Sequence, residues 1–222
     1  GKNDKRWRIE HAQVVNENDF NLFRSASIIP SVQPTHATSD MYWAKERLGN
    51  ERLKGAYAYQ QLLQQNGWLP LGTDFPVEDI SPFKTFYAAV VRMDDKNYPT
   101  GGFQKENALT RQQTLRGMTI WAAKANFLEK ETGSLEKNKK ADFIMLDTDL
   151  IKALETALLN TKVIATWVDG KKVFGKTSTF YEWLHSNPPS LEGEISIASL
   201  TNYDGIQRIL TQLGRIEHGI LA

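Results

Sequence analysis

Short apolar runs alternate with helical stretches through the first half of the chain. Residues 7–15 (WRIEHAQVV), 26–33 (ASIIPSVQ) and 68–73 (WLPLGT) are runs of strand length broken by polar positions, and they predict buried strands. Between the last two lies a long helical segment. Ser39 or Asp40 is expected to cap its start, and Asn66-Gly67, which tolerates left-handed backbone, to close it. Ser81-Pro82 opens another helix, with serine at the N-cap and proline at the first helical position. Phe83, Phe86, Tyr87 and Val90 supply its apolar stripe. Strands alternating with helices in this way predict parallel βα units. Residues 93–109 are polar and contain glycine, so a loop is expected there. Thr110 and Gln113 match a capping box for a helix to about Asn126, with Leu115, Met118, Thr119 and Ala122 facing the core.

The pattern then changes. Gly133-Ser134-Leu135 leads through a charged turn to 141–146 (ADFIML), and later come 163–168 (VIATWV) and 171–174 (KKVF). The last two runs flank Asp169-Gly170, a strong two-residue hairpin signal. This predicts a small β unit distinct from the βα region. Past Gly175, Pro188-Pro189 reads as a linker, and Ile206, Ile209, Leu210, Leu213 and Ile216 share one helical face. The string at 8–11 (RIEH) recurs at 215–218 with no repeat around it, and we read the recurrence as coincidence.

Composition narrows the function classes. The chain has 222 residues, 41% hydrophobic and 24% charged, enough for one or two domains with a sizeable core. Its 27 basic and 26 acidic residues leave a formal charge of +1, which gives no electrostatic reason to expect nucleic acid or an anionic membrane as partner. Short basic runs such as Lys137 to Lys140 read as solvated turns. With no cysteine, disulfides, thiolate metal sites and cysteine nucleophiles are excluded, and a reducing, cytoplasmic compartment is slightly favoured. No apolar run reaches the length of a membrane span.

Two residues carry candidate chemistry. His11 follows Arg8-Ile9-Glu10 near the end of a strand-like run, and Asp74 follows Leu71-Gly72-Thr73 at the end of another. In a parallel βα barrel, reactive residues sit at the C-terminal ends of strands. Neutral imidazole and carboxylate both suit a divalent ion such as zinc. The carboxylate can also accept a proton from water that the metal activates. Singly, each has an ordinary structural reading: the histidine as a hydrogen-bonded residue, the aspartate as a turn former beside Gly72 and Pro76.

Taken in order, 8–13 (RIEHAQ), 31–40 (SVQPTHATSD) and 72–78 (GTDFPVE) resemble the amidohydrolase superfamily, and most closely the amidohydrolase-3 group that includes N-substituted formamide deformylases. Residues 130–136, 139–147 and 163–173 resemble its closing β-domain, so the resemblance covers about residues 6–175. It implies an α/β fold: the C-terminal portion of a (β/α)8 barrel plus strands of a small β-sandwich. The expected division is 1–128 for barrel strands 6–8 and their helices, 129–176 for the β-domain, and 177–222 for an unassigned tail with an amphipathic helix. The resemblance makes His11 the metal-ligand histidine of strand 6 and Asp74 the strand-8 aspartate, both metal ligand and proton shuttle. His36 matches a group-typical histidine after strand 7, with a substrate or transition-state role or a supporting one. Gln33 is a weaker substrate-binding candidate that also serves to hold its loop. Glu10 and Glu78 are supporting partners or surface charges.

Two features depart from the family. Its usual Pro-Gly turn between closing strands is here Lys137-Asn138, and asparagine tolerates the left-handed backbone such a turn needs. No His-x-His pair occurs anywhere in the sequence, and a complete barrel needs about 250 residues by itself. The expectation is therefore a fragment of a metal-dependent hydrolase that acts on amide, formamide or cyclic amide C–N bonds through a metal-activated water, with one or two divalent ions, expected to be zinc, in the intact protein. The fragment alone is expected to be inactive and to associate with itself or with a missing N-terminal part. The alternative is a non-catalytic binding or regulatory protein on the same scaffold.

Overall fold

Parallel pairing appears where the alternation of strands and helices places it, but in shorter pieces. In the computed structural model, which describes residues 1–175, β1 (Arg8–Glu10) pairs in parallel with β2 (Ile29–Ser31), Arg8 opposite Ile29 and Glu10 opposite Ser31. The expected strand at 7–15 stops after three residues because His11 (φ 68°) and Ala12 (φ 38°) turn left-handed. It is also exposed rather than buried: among the described residues β2 is its one partner, and Trp7 and Ile9 are 60% and 46% accessible. The run at 68–73 forms no strand. One parallel bridge joins Val32 to Leu71, the Gly72 N–H donating to the Val32 carbonyl at 3.0 Å and the Val32 N–H to that of Pro70 at 3.2 Å. Pro70 has no N–H to extend the ladder, and Asp74 (φ 61°) turns the chain away.

The helices between follow local chemistry. α1 (Phe20–Ser25) buries Phe20 and Phe23. α2 (Pro34–Leu53) starts at Gln33, ahead of the expected Ser39 or Asp40, since Pro34 brings a helical φ and lacks the N–H that a first turn leaves unpaired. The long segment is two helices: α2 has non-helical backbone at Gly49 (φ 71°), and α3 (Tyr59–Asn66) follows it. Gly67 closes α3 in the left-handed conformation as expected, its N–H donating to the Leu63 carbonyl at 2.8 Å. α4 (Pro82–Val91) has Pro82 in its first turn and buries every residue from Thr85 to Val91.

The Thr110–Gln113 capping box forms: the Gln113 N–H donates to Thr110 Oγ1 at 3.1 Å and the Thr110 N–H to Gln113 Oε1 at 2.8 Å. The helix it opens does not run to Asn126. Thr119 (φ −123°, ψ −96°) divides it into α5 (Arg111–Met118) and α6 (Ile120–Ala125). The break moves the buried positions to Thr114, Gly117, Ala123 and Ala125, while Leu115 and Met118 are partly buried against Phe86, Tyr87 and their neighbours. The expected loop at 93–109 holds only a short 3-10 turn at Lys105–Asn107.

These elements, with α7 (Glu155–Leu158), form one unit of residues 1–126 and 150–160. The other unit contains residues 127–149 and continues from Thr161. In it β3 (Phe143–Leu146), β4 (Val163–Val168) and β5 (Lys171–Phe174) form an antiparallel sheet in that order. Asp169 (φ 51°) and Gly170 (φ 72°) both have the positive φ that a tight hairpin demands. Phe143 lies opposite Trp167, the rings stacked at 4.5 Å. Asn138 adopts the left-handed backbone (φ 71°) expected of it. The linker and helical stripe expected beyond Gly175 lie outside the described residues. No helix among the described residues is long and apolar enough to cross a membrane.

One close approach fixes the segment leading to Asp74. The Leu71 N–H donates to the Gly117 carbonyl at 3.0 Å, and a Cβ at Gly117 would stand 2.6 Å from Leu71 Cγ and 2.9 Å from the Leu69 carbonyl oxygen. Gly117→Ala is expected to force α5 off this segment and to destabilise the protein by about 1–3 kcal/mol, measured as a fall in the midpoint of urea denaturation.

Candidate metal centre

The parallel register sets the site. β1 and β2 point the same way, so the residues just past their ends fall side by side, and the Val32–Leu71 bridge brings the end of a third segment beside them. His11 follows β1, Gln33 and His36 follow β2 on the first turn of α2, and Asp74 follows Leu71. His11, Gln33, His36 and Asp74 converge. His36 Nε2 lies 3.1 Å from Asp74 Oδ2, His11 Nδ1 lies 4.0 Å from the same oxygen, and Gln33 Oε1 lies 2.8 Å from His11 Nδ1. The two imidazole rings are 5.3 Å apart and inclined at 39°. His36 is buried, Asp74 half-buried and the His11 ring open to solvent.

Both His11 and Asp74 have positive φ, at 68° and 61°. Histidine and aspartate enter this region more readily than most residues, still at some cost, and such residues cluster at functional sites. The left-handed step swings each side chain out of its strand direction. The Val77 and Glu78 N–H groups close on the Asp74 carbonyl at 2.8 and 3.2 Å, which holds the turn.

Of the two acidic residues with alternative readings, Glu78 accepts from Ser39 Oγ at 2.6 Å and so fastens the Asp74 loop to α2. Glu10 pairs with Arg8 at 2.8 Å on the exposed face of β1.

A supporting network went unread in the sequence. Asp40 accepts hydrogen bonds from the Gln13 amide and, at 2.8 Å, from the Tyr57 hydroxyl. It thus ties the chain just past His11 to the helix that carries His36. Burial, the largest cause, pushes the Tyr57 hydroxyl above its ordinary value; the Gln13 amide pulls it back and the Asp40 carboxylate raises it further. The signal was present: Asp40 lies four residues after His36, on the same face of a helix.

Zinc takes imidazole nitrogen and carboxylate oxygen at about 2.0–2.2 Å, so atoms on one ion stand roughly 3–4 Å apart. One potential ligand atom from each of His11, His36 and Asp74 lies within 4.8 Å of the others, close to that spacing. Imidazole and carboxylate together suit zinc and other borderline divalent ions, so His11 and Asp74, with His36 beside them, fit part of a metal's shell.

Comparison with known proteins settles the family. The amidohydrolase family model matches residues 1–174. The chain belongs to the amidohydrolase family. It is 37% identical over 175 residues to Protein LONG AFTER FAR-RED 3 of Arabidopsis thaliana, covering 78% of this chain and 30% of that protein. It is 29% identical over 129 residues to N-substituted formamide deformylase of Arthrobacter pascens, covering 58% and 23%. Among solved structures it resembles an uncharacterized metal-dependent hydrolase of Pyrococcus horikoshii, with 32% identity and a TM-score of 0.59 over 67% of this chain and 30% of that one. The chain therefore spans about a third or less of the length of these relatives.

If the Asp40 network holds the two histidine segments together, Asp40→Ala leaves the Tyr57 hydroxyl without its acceptor and the Gln13 amide with only the Tyr57 oxygen, at 3.3 Å. The expected loss is about 1–3 kcal/mol of stability, measured by chemical denaturation, with Tyr57→Phe losing less because Asp40 keeps Gln13.

Proposed function

We propose that the intact protein is a metal-dependent hydrolase of carbon–nitrogen bonds in amides, formamides or cyclic amides, and that this chain supplies part of its centre. The observation that carries the reading is the convergence of His11, Gln33, His36 and Asp74 from three separate segments of an amidohydrolase-family chain. The name of the Arthrobacter pascens relative, an N-substituted formamide deformylase, supports a C–N bond as the target. β1, β2 and the segment before Asp74, which is bridged to Val32, are read as the places of consecutive strands of a (β/α)8 barrel, with the reactive residues at their C-terminal ends.

His11 and Asp74 would hold a divalent ion, with zinc favoured by the donor set. When bound, such an ion lowers the pKa of its water and makes hydroxide available near neutral pH. Asp74 accepts the proton released in the attack and returns it to the leaving nitrogen. His36 holds that carboxylate through Oδ2 at 3.1 Å, so Oδ1 is the oxygen assigned to the proton. Because its ring is buried and bonded to Asp74, His36 orients the carboxylate, and its access to substrate is secondary. A catalytic zinc takes three protein ligands and water, so the remaining ligands are assigned to the rest of a longer polypeptide. The outer edge of β1, with Trp7 and Ile9 exposed, offers a place for a further strand from that polypeptide or from a second copy.

The test is Asp74→Asn in the intact enzyme. The amide keeps the size of the side chain and loses its charge and basicity. Turnover of an N-substituted formamide is expected to fall by about 10²–10⁴-fold from the proton-transfer role alone, with unchanged circular dichroism. Wild-type turnover in a metal-replete variant would remove Asp74 from the chemistry.

A further inference from the structure

The Gln33 side chain is committed inside the protein. Its residue is 7% exposed, and Oε1 lies 2.8 Å from His11 Nδ1. The main chain beneath it is fixed on both sides. Val32 bridges Leu71. The Gln33 carbonyl accepts from the buried Tyr59 hydroxyl at 3.0 Å and from the His36 N–H at 3.0 Å. The Arg92 guanidinium covers the Tyr59 ring at 5.0 Å, and Arg92 is itself held by the Phe103 carbonyl at 2.8 Å. An amide built on such a base presents its oxygen at a set point.

That oxygen can only accept a hydrogen bond, so the neutral imidazole facing it must carry its proton on Nδ1. The lone pair is then on Nε2. Unconstrained histidine favours the opposite tautomer, with the proton on Nε2, so the choice is imposed by the neighbour. A histidine that donates its second N–H to a fixed carbonyl is oriented and made a better ligand. An amide does this without placing a second anion beside Asp74, whose carboxylate is 4.0 Å from the same His11 nitrogen.

We propose that Gln33 is a positioning residue that holds His11 as the Nδ1–H tautomer and so makes Nε2 its metal-ligating nitrogen, rather than a residue that binds substrate. The inference rests on the metal-centre reading of His11, and its two halves are tested separately.

The experiment uses the 222-residue chain with 15N-labelled histidine. NMR of the imidazole nitrogens in the neutral ring gives the tautomer, with His11 assigned by the signals missing in His11→Ala. A Co(II) titration of the intact protein, followed in the visible spectrum, gives affinity. Wild type is expected to show Nδ1–H at His11. Gln33→Met, similar in length but with no acceptor oxygen, is expected to return His11 to Nε2–H and to weaken Co(II) binding about 10–100-fold. Gln33→Glu keeps an acceptor oxygen in place and is expected to retain Nδ1–H at His11. That rescue separates positioning from a general loss of fold. An Nε2–H tautomer in wild type, or unchanged tautomer and affinity in Gln33→Met, overturns the proposal. An Nδ1–H ring at His11 in an intact protein that takes up no Co(II) overturns the metal half, and the metal-centre reading with it, while the Gln33–His11 contact stands.

Discussion

The register of β1 on β2 decides where the chemistry of this chain ends up. Glu10 lies opposite Ser31, so the next residues along the two strands, His11 on one and Val32-Gln33 on the other, leave the sheet together. The side-chain period of a strand is two, so a slip of one residue would point β1 to the other face and carry His11 away from Gln33. The bridge from Val32 to Leu71 repeats the alignment on the far side and delivers Asp74 three residues later. No single contact in the cluster is unusual. What is specific is that three short segments, with sequence separations of tens of residues, are held parallel and end level.

Short strands cannot hold such an alignment alone, and the surrounding helices supply the rest. Pro34 starts α2 at once after β2, so His36 enters the site from the first helical turn. Gly117 brings α5 against Leu71, and Ser39 fastens the loop after Asp74 through Glu78. Asp40 joins the two histidine segments through Gln13 and Tyr57. Arg92, fully buried at the end of α4, spreads over Tyr59, which in turn fixes the Gln33 carbonyl. Burial pushes the Tyr59 hydroxyl well above its ordinary value, so it stays a neutral donor to that carbonyl.

The sequence made the candidate site residues legible and their supports largely illegible. His11 and Asp74 stood out because each follows a strand-like run, and they lie 4.0 Å apart. The hairpin at Asp169-Gly170, the capping box at Thr110 and the left-handed closure at Gly67 depend on local backbone rules, and all form. Misreadings came where tertiary geometry overrides periodicity. The apolar run around Ile9 looked like a buried strand because periodicity cannot say whether anything covers it. The segments from Ser39 or Asp40 to Asn66 and from Thr110 to about Asn126 each read as one continuous helix, since neither Gly49 nor Thr119 forces a break by its type alone. Arg92 carried no sequence signal of burial: an arginine after a run of valines reads as a surface cap until Phe103 and Tyr59 close over it.

His11 and Asp74 are proposed to share one metal ion. The most direct measurement is anomalous diffraction at the zinc absorption edge from crystals of the zinc-loaded intact protein. The account predicts a peak within about 2.0–2.2 Å of an imidazole nitrogen of His11 and a carboxylate oxygen of Asp74. A zinc peak held by other residues, with His11 and Asp74 both outside its coordination shell, would contradict it.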